Sequence, residues 1–270
     1  MDEPELCLHP NAVREACRVL YDLPKSGNWQ VMVTTHSPVF IDFWRDNTSI
    51  VRVERQANGS CSGTTIYRPK KAHLDNDDKE RLKLLNLCDP YVAEFFFGGR
   101  TILVEGDTEY TAFTYIAQQN PDAYKDIHIV RARGKATICS LSKILNQFGV
   151  PYAILHDSDT PEAIRDKKTI VNPAWTQNSN ILAQVADALP TKRVRLVASM
   201  TSFEPAYFGF SVKSDKPATA WEHLKTNEDA RTKVAALLEA LLDFNKPLPA
   251  GAVDWNNIVT LEANLPKADA

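Results

Sequence analysis

Two short apolar runs in this sequence end abruptly in acid. Thr101-Ile102-Leu103-Val104 runs into Glu105-Gly106-Asp107, and Tyr152-Ala153-Ile154-Leu155 runs into His156-Asp157-Ser158-Asp159. Each run is too short for a helix and lacks the polar alternation of a half-exposed strand, so both read as strands buried on two faces. Helical patterns separate them. One leads from the Glu105 turn to about Gln118. A second, Ala136 to Phe148, places Ile138, Leu141, Ile144, Leu145 and Phe148 on one face and is stopped by Gly149 and Pro151. Asp126 to Arg131 and Val194 to Ala198 add two more strands, and Asn180 to Leu189 a further helix. Strands alternating with amphipathic helices predict a parallel α/β sheet flanked by helices. A short helical piece is expected from Ser202-Phe203-Glu204-Pro205, then C-terminal helices over Thr219–Leu224 and Glu228–Phe244, with loose order past Leu261.

The first hundred residues read differently. An amphipathic helix is expected from Asn11 to Tyr21, with Val13, Ala16, Cys17 and Leu20 on one face. Gln30 to Thr34 reads as a buried strand, and Ser49–Val53 with Thr64–Tyr67 as a hairpin. A charged helical connector, capped near Asp75-Asn76-Asp77-Asp78, leads to a short helix from Pro90 to Phe97. The expected division is 1–68, 69–98, 99–215 and 216–270, with the main boundary at Gly98-Gly99.

With 270 residues and 44% hydrophobic content, the chain has enough apolar material for real cores. The formal net charge of −3 excludes a polybasic tail protein as the whole answer and leaves room for a local basic patch. The five cysteines, Cys7, Cys17, Cys61, Cys88 and Cys139, show no C-x-x-C spacing, which argues against a disulfide framework or a thiolate zinc site. Met1-Asp2-Glu3-Pro4 lacks the basic-then-apolar order of a signal peptide. No apolar run approaches the roughly 18 residues that span a bilayer, so a cytoplasmic location without a membrane partner is expected.

The carboxyl ends of parallel strands lie along one edge, where ligands bind. Asp157 and Asp159, two residues apart in an extended segment, point the same way, and Glu105 meets them if its strand is a neighbour. Three such carboxylates repel one another unless one protonates or a cation sits between them. Oxygen ligands of this kind suit Mg²⁺ or Mn²⁺. The alternative is that these acids simply cap helices.

TILVEGDTEYTAFTYIA, followed about fifty residues later by AILHDSD, resembles the Toprim domain. That domain is shared by topoisomerases, bacterial primases, RNase M5-type nucleases and the OLD (overcoming lysogenization defect) family. The resemblance is close over 100–160 and looser to about 215. It implies a Mg²⁺-dependent phosphodiester site with Glu105 as the family glutamate and Asp157 and Asp159 as the paired aspartates. Glu109, one helical turn beyond Glu105, faces the same metal on that reading. The E-G-D-T-E arrangement is similar to the OLD branch, in which Glu204 of SFEPAYF corresponds to a further acid and a second-metal ligand. Lys216, in SDKPATA, is the candidate for a phosphate or transition-state contact. The topoisomerase tyrosine comes from a separate domain not seen here. Water is therefore the expected nucleophile, and Tyr110 and Tyr115 are packing or surface residues.

DEPELCLHP looks like the Walker B end and following loop of an ABC-type ATPase, and TTHSPVF like its switch histidine segment. The resemblance implies a Mg²⁺ role for Asp2, a water-polarising role for Glu3 and a γ-phosphate sensor in His36. No G-x-x-x-x-G-K-[ST] occurs in the 270 residues, so no ATP binding or hydrolysis is expected from this chain alone. The expectation is the C-terminal part of a longer ATPase–nuclease, with ATP relevant only to that parent.

Arg131, Arg133 and Lys135 cluster before a helix near the same strand ends and are candidate nucleic-acid contacts. Arg165-Asp166-Lys167-Lys168 and Lys192-Arg193-Val194-Arg195 are further basic stretches, with ordinary solvated loops as the alternative. His156, beside Asp157, reads as a packed histidine, with a supporting role behind the aspartates as the alternative. The functional expectation is a metal-dependent DNA endonuclease or nickase using two ions. The rivals are a non-catalytic metal- and DNA-binding module and an RNase M5-like RNA nuclease. DNA is the expected partner, with a helicase-type protein and dimerisation through an absent ATPase part as further expectations.

Overall fold

The computed structural model describes residues 1–56, 58–165, 167–212 and 214–266. They form two compact units, Met1–Gly98 and Gly99–Ala270.

In the first unit, α1 (Pro10–Asp22) starts where Pro10 fixes the first turn and His9 Nδ1 accepts the Asn11 N–H at 3.4 Å. Val13, Ala16, Cys17 and Leu20 are its half-buried face. The buried strand expected over Gln30–Thr34 does not form. Only one parallel bridge, Asp2 to Thr34, joins it to a neighbour, and Met32 is 82% exposed. A single bridge gives no ladder to satisfy the backbone of a buried strand. β1 (Ile50–Arg55) and β2 (Cys61–Tyr67) pair antiparallel as a hairpin. α2 (Asn76–Cys88) begins with a reciprocal capping box between Asp75 and Asp78. A 3₁₀ helix, Pro90–Phe97, then buries Phe95 and Phe96 against Phe43 and Tyr67. The Tyr67 hydroxyl donates to the Phe43 carbonyl at 2.7 Å, which satisfies the one polar atom in this aromatic core.

The second unit runs β3 (Arg100–Val104), α3 (Asp107–Gln119), α4 (Pro121–Tyr124), β4 (Ile127–Arg131), α5 (Lys135–Phe148) and β5 (Tyr152–Asp157). The hairpin β6 (Glu162–Arg165) and β7 (Lys168–Val171) follows, then α6 (Pro173–Val185) and β8 (Val194–Ser199). The rest is α7 (Phe203–Phe208), α8 (Lys216–Thr226), α9 (Glu228–Leu242), β9 (Ala252–Asp254) and α10 (Ile258–Ala263). The main sheet has the order β4-β3-β5-β8-β9, parallel except for β9.

From β3 the chain first adds β4 on one side, then β5 on the other. The switch point of the sheet therefore lies between β3 and β5, the place where open α/β sheets bind ligands. Ile102, Val104, Ala153, Leu155 and Val197 face one layer built from α3, α7, α8 and α9. Leu103, Ile154 and Leu196, next to them in sequence, face the opposite side, where α5 and α6 pack together. All eight side chains are at most 2% exposed, as expected for strands covered on both faces.

Three details depart from the sequence expectation. α6 starts at Pro173 rather than near Asn180, because Asn172 caps it by accepting the Ala174 N–H at 3.0 Å. The hairpin β6–β7 was not expected. The strand β9 and the helix α10 were not expected either. β9 adds to the sheet edge, Trp255 and Leu261 are buried, and α10 continues through Ala263. Of the basic stretches, Arg195 is an internal residue, bonded to Asp254 and to carbonyls of the α9 end. Asp166 of the other stretch lies outside the described residues. No described helix is long and apolar enough to cross a membrane.

Candidate active site

The parallel register sets Val104 beside Leu155 and Asp157 beside Ser199, so the ends of β3, β5 and β8 share one edge. Glu105 leaves β3 with its backbone already fixed. Its N–H donates to the Leu155 carbonyl at 3.2 Å, and its carbonyl accepts the Gly134 N–H at 2.9 Å. Its Oε2 accepts the Asp157 N–H at 3.1 Å. Burial raises the Glu105 carboxyl above its ordinary range, with Lys135 pulling the other way.

Glu109 follows in the first turn of α3 and is 4% exposed. Burial, reinforced by the charges of Glu105 and Glu204, pushes its carboxyl up to about 7. Gly106 makes room for it, since a Cβ there would lie 3.1 Å from Glu109 Oε2. Asp157 ends β5 and accepts the Phe203 N–H at 2.8 Å. Burial comes first among the causes that raise it well above the ordinary range, followed by Glu109, Glu105, Asp159 and Glu204. Asp159, in the left-handed region at φ 57°, accepts Lys135 Nζ at 2.5 Å. Glu204, on α7, accepts the Thr108 hydroxyl at 3.2 Å and Lys216 Nζ at 2.9 Å. The bond to Glu204 raises the Lys216 ammonium, and Asp157 and Glu109 add to it.

The five acids singled out in the sequence therefore act electrostatically on one another, and Lys216 joins them. They are not assembled into a cage. Among the described residues, no three His, Cys, Asp or Glu side chains are grouped to hold an ion. The physical reason is that Asp159 and Glu204 are drawn to Lys135 and Lys216. The donor set still fits a divalent cation. It is all carboxylate oxygen, and the pKa values of Glu105, Glu109 and Asp157 are raised, by burial first and by neighbouring carboxylates after it. Glu105, Asp157, Asp159 and Glu204 each use one oxygen in the bonds above, and the second has no partner among the described residues.

Of the three expected nucleic-acid contacts, two are committed inside the protein. Lys135 has a side chain only 3% exposed, bonded to Asp159 and to the Ala174 carbonyl. Arg131 pairs with Asp107 at 2.8 Å and lies over the Tyr110 ring. Arg133 alone is exposed.

Of the groups that hold the aspartate loop, His156 is the packed histidine that the sequence suggests, whereas Trp255 and Asn178 were missed. His156 is fully buried, and Trp255 Nε1 donates to its Nε2 at 3.1 Å. Its Nδ1, at 2.8 Å from the Asp157 carbonyl, must then carry the proton and donate. Burial pushes the imidazole down to about 3, so it stays neutral. Asn178, on α6, donates to the Ser158 carbonyl at 2.8 Å. These contacts join residues 99 and 20 positions apart, and no local pattern encodes them.

The acidities give a direct prediction. Raising Glu109 from 4.5 to about 7 means that the folded state binds more protons than the unfolded one between those values. Stability is then lost as pH rises through that window. Glu109→Gln is expected to raise stability in EDTA at pH 8 by on the order of 2 to 3 kcal/mol, roughly 5 to 10 °C in Tm, with the gain vanishing near pH 4.5. Thermal melts of both proteins at pH 5 and pH 8 would show it, and equal melts at pH 8 would refute it.

In the first unit the ATPase-like residues also meet. Thr34 donates its hydroxyl to Asp2, Glu3 N–H bonds the Thr34 carbonyl at 3.0 Å, and His36 Nε2 lies 3.3 Å from Glu3 Oε1.

Comparison with known proteins follows the same division. The model of the Toprim domain of overcoming lysogenization defect protein-like chains matches residues 96–159, and an AAA ATPase domain model matches residues 1–41. OLD nuclease of Thermus scotoductus is 30% identical over 261 residues, covering 92% of this chain and 48% of that protein. Old nuclease of Escherichia phage P2 is 27% identical over 210 residues, covering 76% of this chain and 34% of that protein. The chain thus spans half or less of the length of the curated relatives it matches.

Proposed function

From the premise that this chain carries an OLD-like Toprim domain beside an ATPase-domain segment, we propose that it is a metal-dependent DNA endonuclease. The observation that carries the reading is the meeting of Glu105 and Asp157 across the β3/β5 switch point, with Glu109, Asp159 and Glu204 in electrostatic reach. The nuclease names of its relatives support the reaction class. Glu105, Glu109, Asp157, Asp159 and Glu204 are the residues that would hold Mg²⁺ or Mn²⁺, two ions on this reading. Bound there, such ions supply an acidified water and charge stabilisation for phosphodiester hydrolysis. Lys216, half-exposed and paired with Glu204, would meet the negative charge of a substrate phosphate on this reading. Lys135 acts on Asp159 instead, fixing its carboxylate from within.

Asp2, Glu3 and His36 are proposed to serve ATP only in a longer protein. A helicase partner or a dimer has no support in the fold or the comparisons and is not proposed. The cytoplasm remains the proposed location.

The test is supercoiled plasmid incubated with the chain and Mg²⁺, Mn²⁺ or EDTA, with an RNA substrate in parallel. Nicked or linear DNA is expected only with a divalent ion. Metal-dependent binding without cleavage would replace this reading with a non-catalytic module, and cleavage of RNA alone with an RNA nuclease.

A further inference from the structure

The site has a charge problem of its own. A DNA strand is a polyanion, and the catalytic edge presents five carboxylates. Two of the three cations expected to draw DNA to that edge, Arg131 and Lys135, are spent on Asp107 and Asp159. Attraction has to come from elsewhere, because phosphate affinity is supplied by cations that remain free to neutralise it.

The hairpin β6–β7 has that property. It leaves the Asp159 loop after only Thr160 and Pro161 and returns directly into α6. Its base is closed by the Asn172 N–H on the Pro161 carbonyl at 2.9 Å. Ala174, two residues further, is the carbonyl that holds Lys135. The arm is therefore rooted in the same loop that carries the aspartates. Its strands pair only with each other. Ile164 is 83% exposed and Val171 69%, so the arm buries little of its apolar surface. A two-stranded ribbon in water is marginal by itself, and one this exposed is built to lie on something.

Its far end is basic. Arg165 closes β6, Lys168 opens β7, and Lys167 sits in the turn with φ 62°. All three are exposed, and none of their side chains has a hydrogen bond or ion pair among the described residues. Glu162 is the one described acid of the arm.

We propose that β6–β7 is a DNA-backbone arm, in which Arg165, Lys167 and Lys168 grip phosphates flanking the strand at the catalytic edge. The inference rests on the nuclease reading and names where that substrate is held. It assigns the arm affinity and register, without base specificity.

The test replaces the three together, Arg165→Ala, Lys167→Ala and Lys168→Ala, in the full chain. Binding of a fluorescent duplex is measured in EDTA, where no cleavage occurs, across a salt series. Sedimentation and thermal melting accompany it. The expected result is a Kd at least about tenfold weaker near 0.1 M salt, with the slope of log K against log salt reduced by roughly 2 to 3. A variant that matches the parent in Kd and slope overturns the arm and leaves the nuclease reading intact. So does one that changes only self-association, since the exposed arm would then be pairing copies of the chain. A parent that neither binds nor cuts DNA defeats the nuclease reading itself, and the arm with it.

Discussion

Asp157→Asn is expected to reduce metal-dependent DNA cleavage by about a thousandfold or more, some 4 kcal/mol of transition-state stabilisation, without unfolding the protein. The substitution keeps an oxygen for the Phe203 N–H, which Asp157 accepts at 2.8 Å, and removes only the charge. Burial and four neighbouring acids already hold the Asp157 pKa well above its ordinary value, so its charge is costly. Losing its charge therefore relieves repulsion, and the melting temperature in EDTA is expected to hold or rise. Alanine would be a poorer choice, because it also strips the Phe203 N–H of its partner. Single-turnover cleavage of plasmid in Mn²⁺, paired with melts in EDTA, separates the two effects. Parent-like cleavage by the asparagine variant would remove Asp157 from the site.

The second large effect concerns stability far from the chemistry. Arg195 lies on β8 with its side chain 9% exposed, and its guanidinium forms a two-point pair with Asp254 at 2.9 and 2.7 Å. It also donates to the carbonyls of Ala240 at 2.5 Å and Lys246 at 3.0 Å, tying the end of α9 and the following loop to the sheet. Arg195→Met leaves those carbonyls without their donor and releases β9. A loss of about 2 to 4 kcal/mol is expected, roughly 5 to 10 °C in Tm. Because β9 leads into Trp255, which orients His156 behind Asp157, activity should fall at temperatures where the fold still holds. Denaturant unfolding measures the first effect. A midpoint within about half a kcal/mol of the parent would show Arg195 to be a surface residue.

The sequence was readable where the physics is local. A short, mostly apolar run without polar alternation that ends at or next to an acid marks a doubly covered strand, and β3 and β5 follow that rule. The apolar face of α5 appears as expected, with Ile138, Leu141, Ile144, Leu145 and Phe148 all buried. The failures share one cause. Gln30–Thr34 has the composition of a strand, yet strand formation depends on neighbours that sequence does not display. Arg195 and Lys135 look like surface cations, because a basic residue in a loop-like context carries no sign of the distant carboxylate or carbonyls it will meet.

By itself, then, the sequence determined the alternating architecture, the acids at strand ends and the Toprim resemblance. Each of these follows from short-range periodicity or from a motif within a few residues. Only the tertiary structure decided the rest. It placed β5 rather than β4 on the far side of β3, and so put the Glu105 carboxylate on the Asp157 N–H. It turned Lys135 inward, set Trp255 behind His156 and left the β6–β7 arm in solvent. Those outcomes depend on which surfaces are buried together and which charges lose their water, and both are fixed by contacts between residues far apart in the chain.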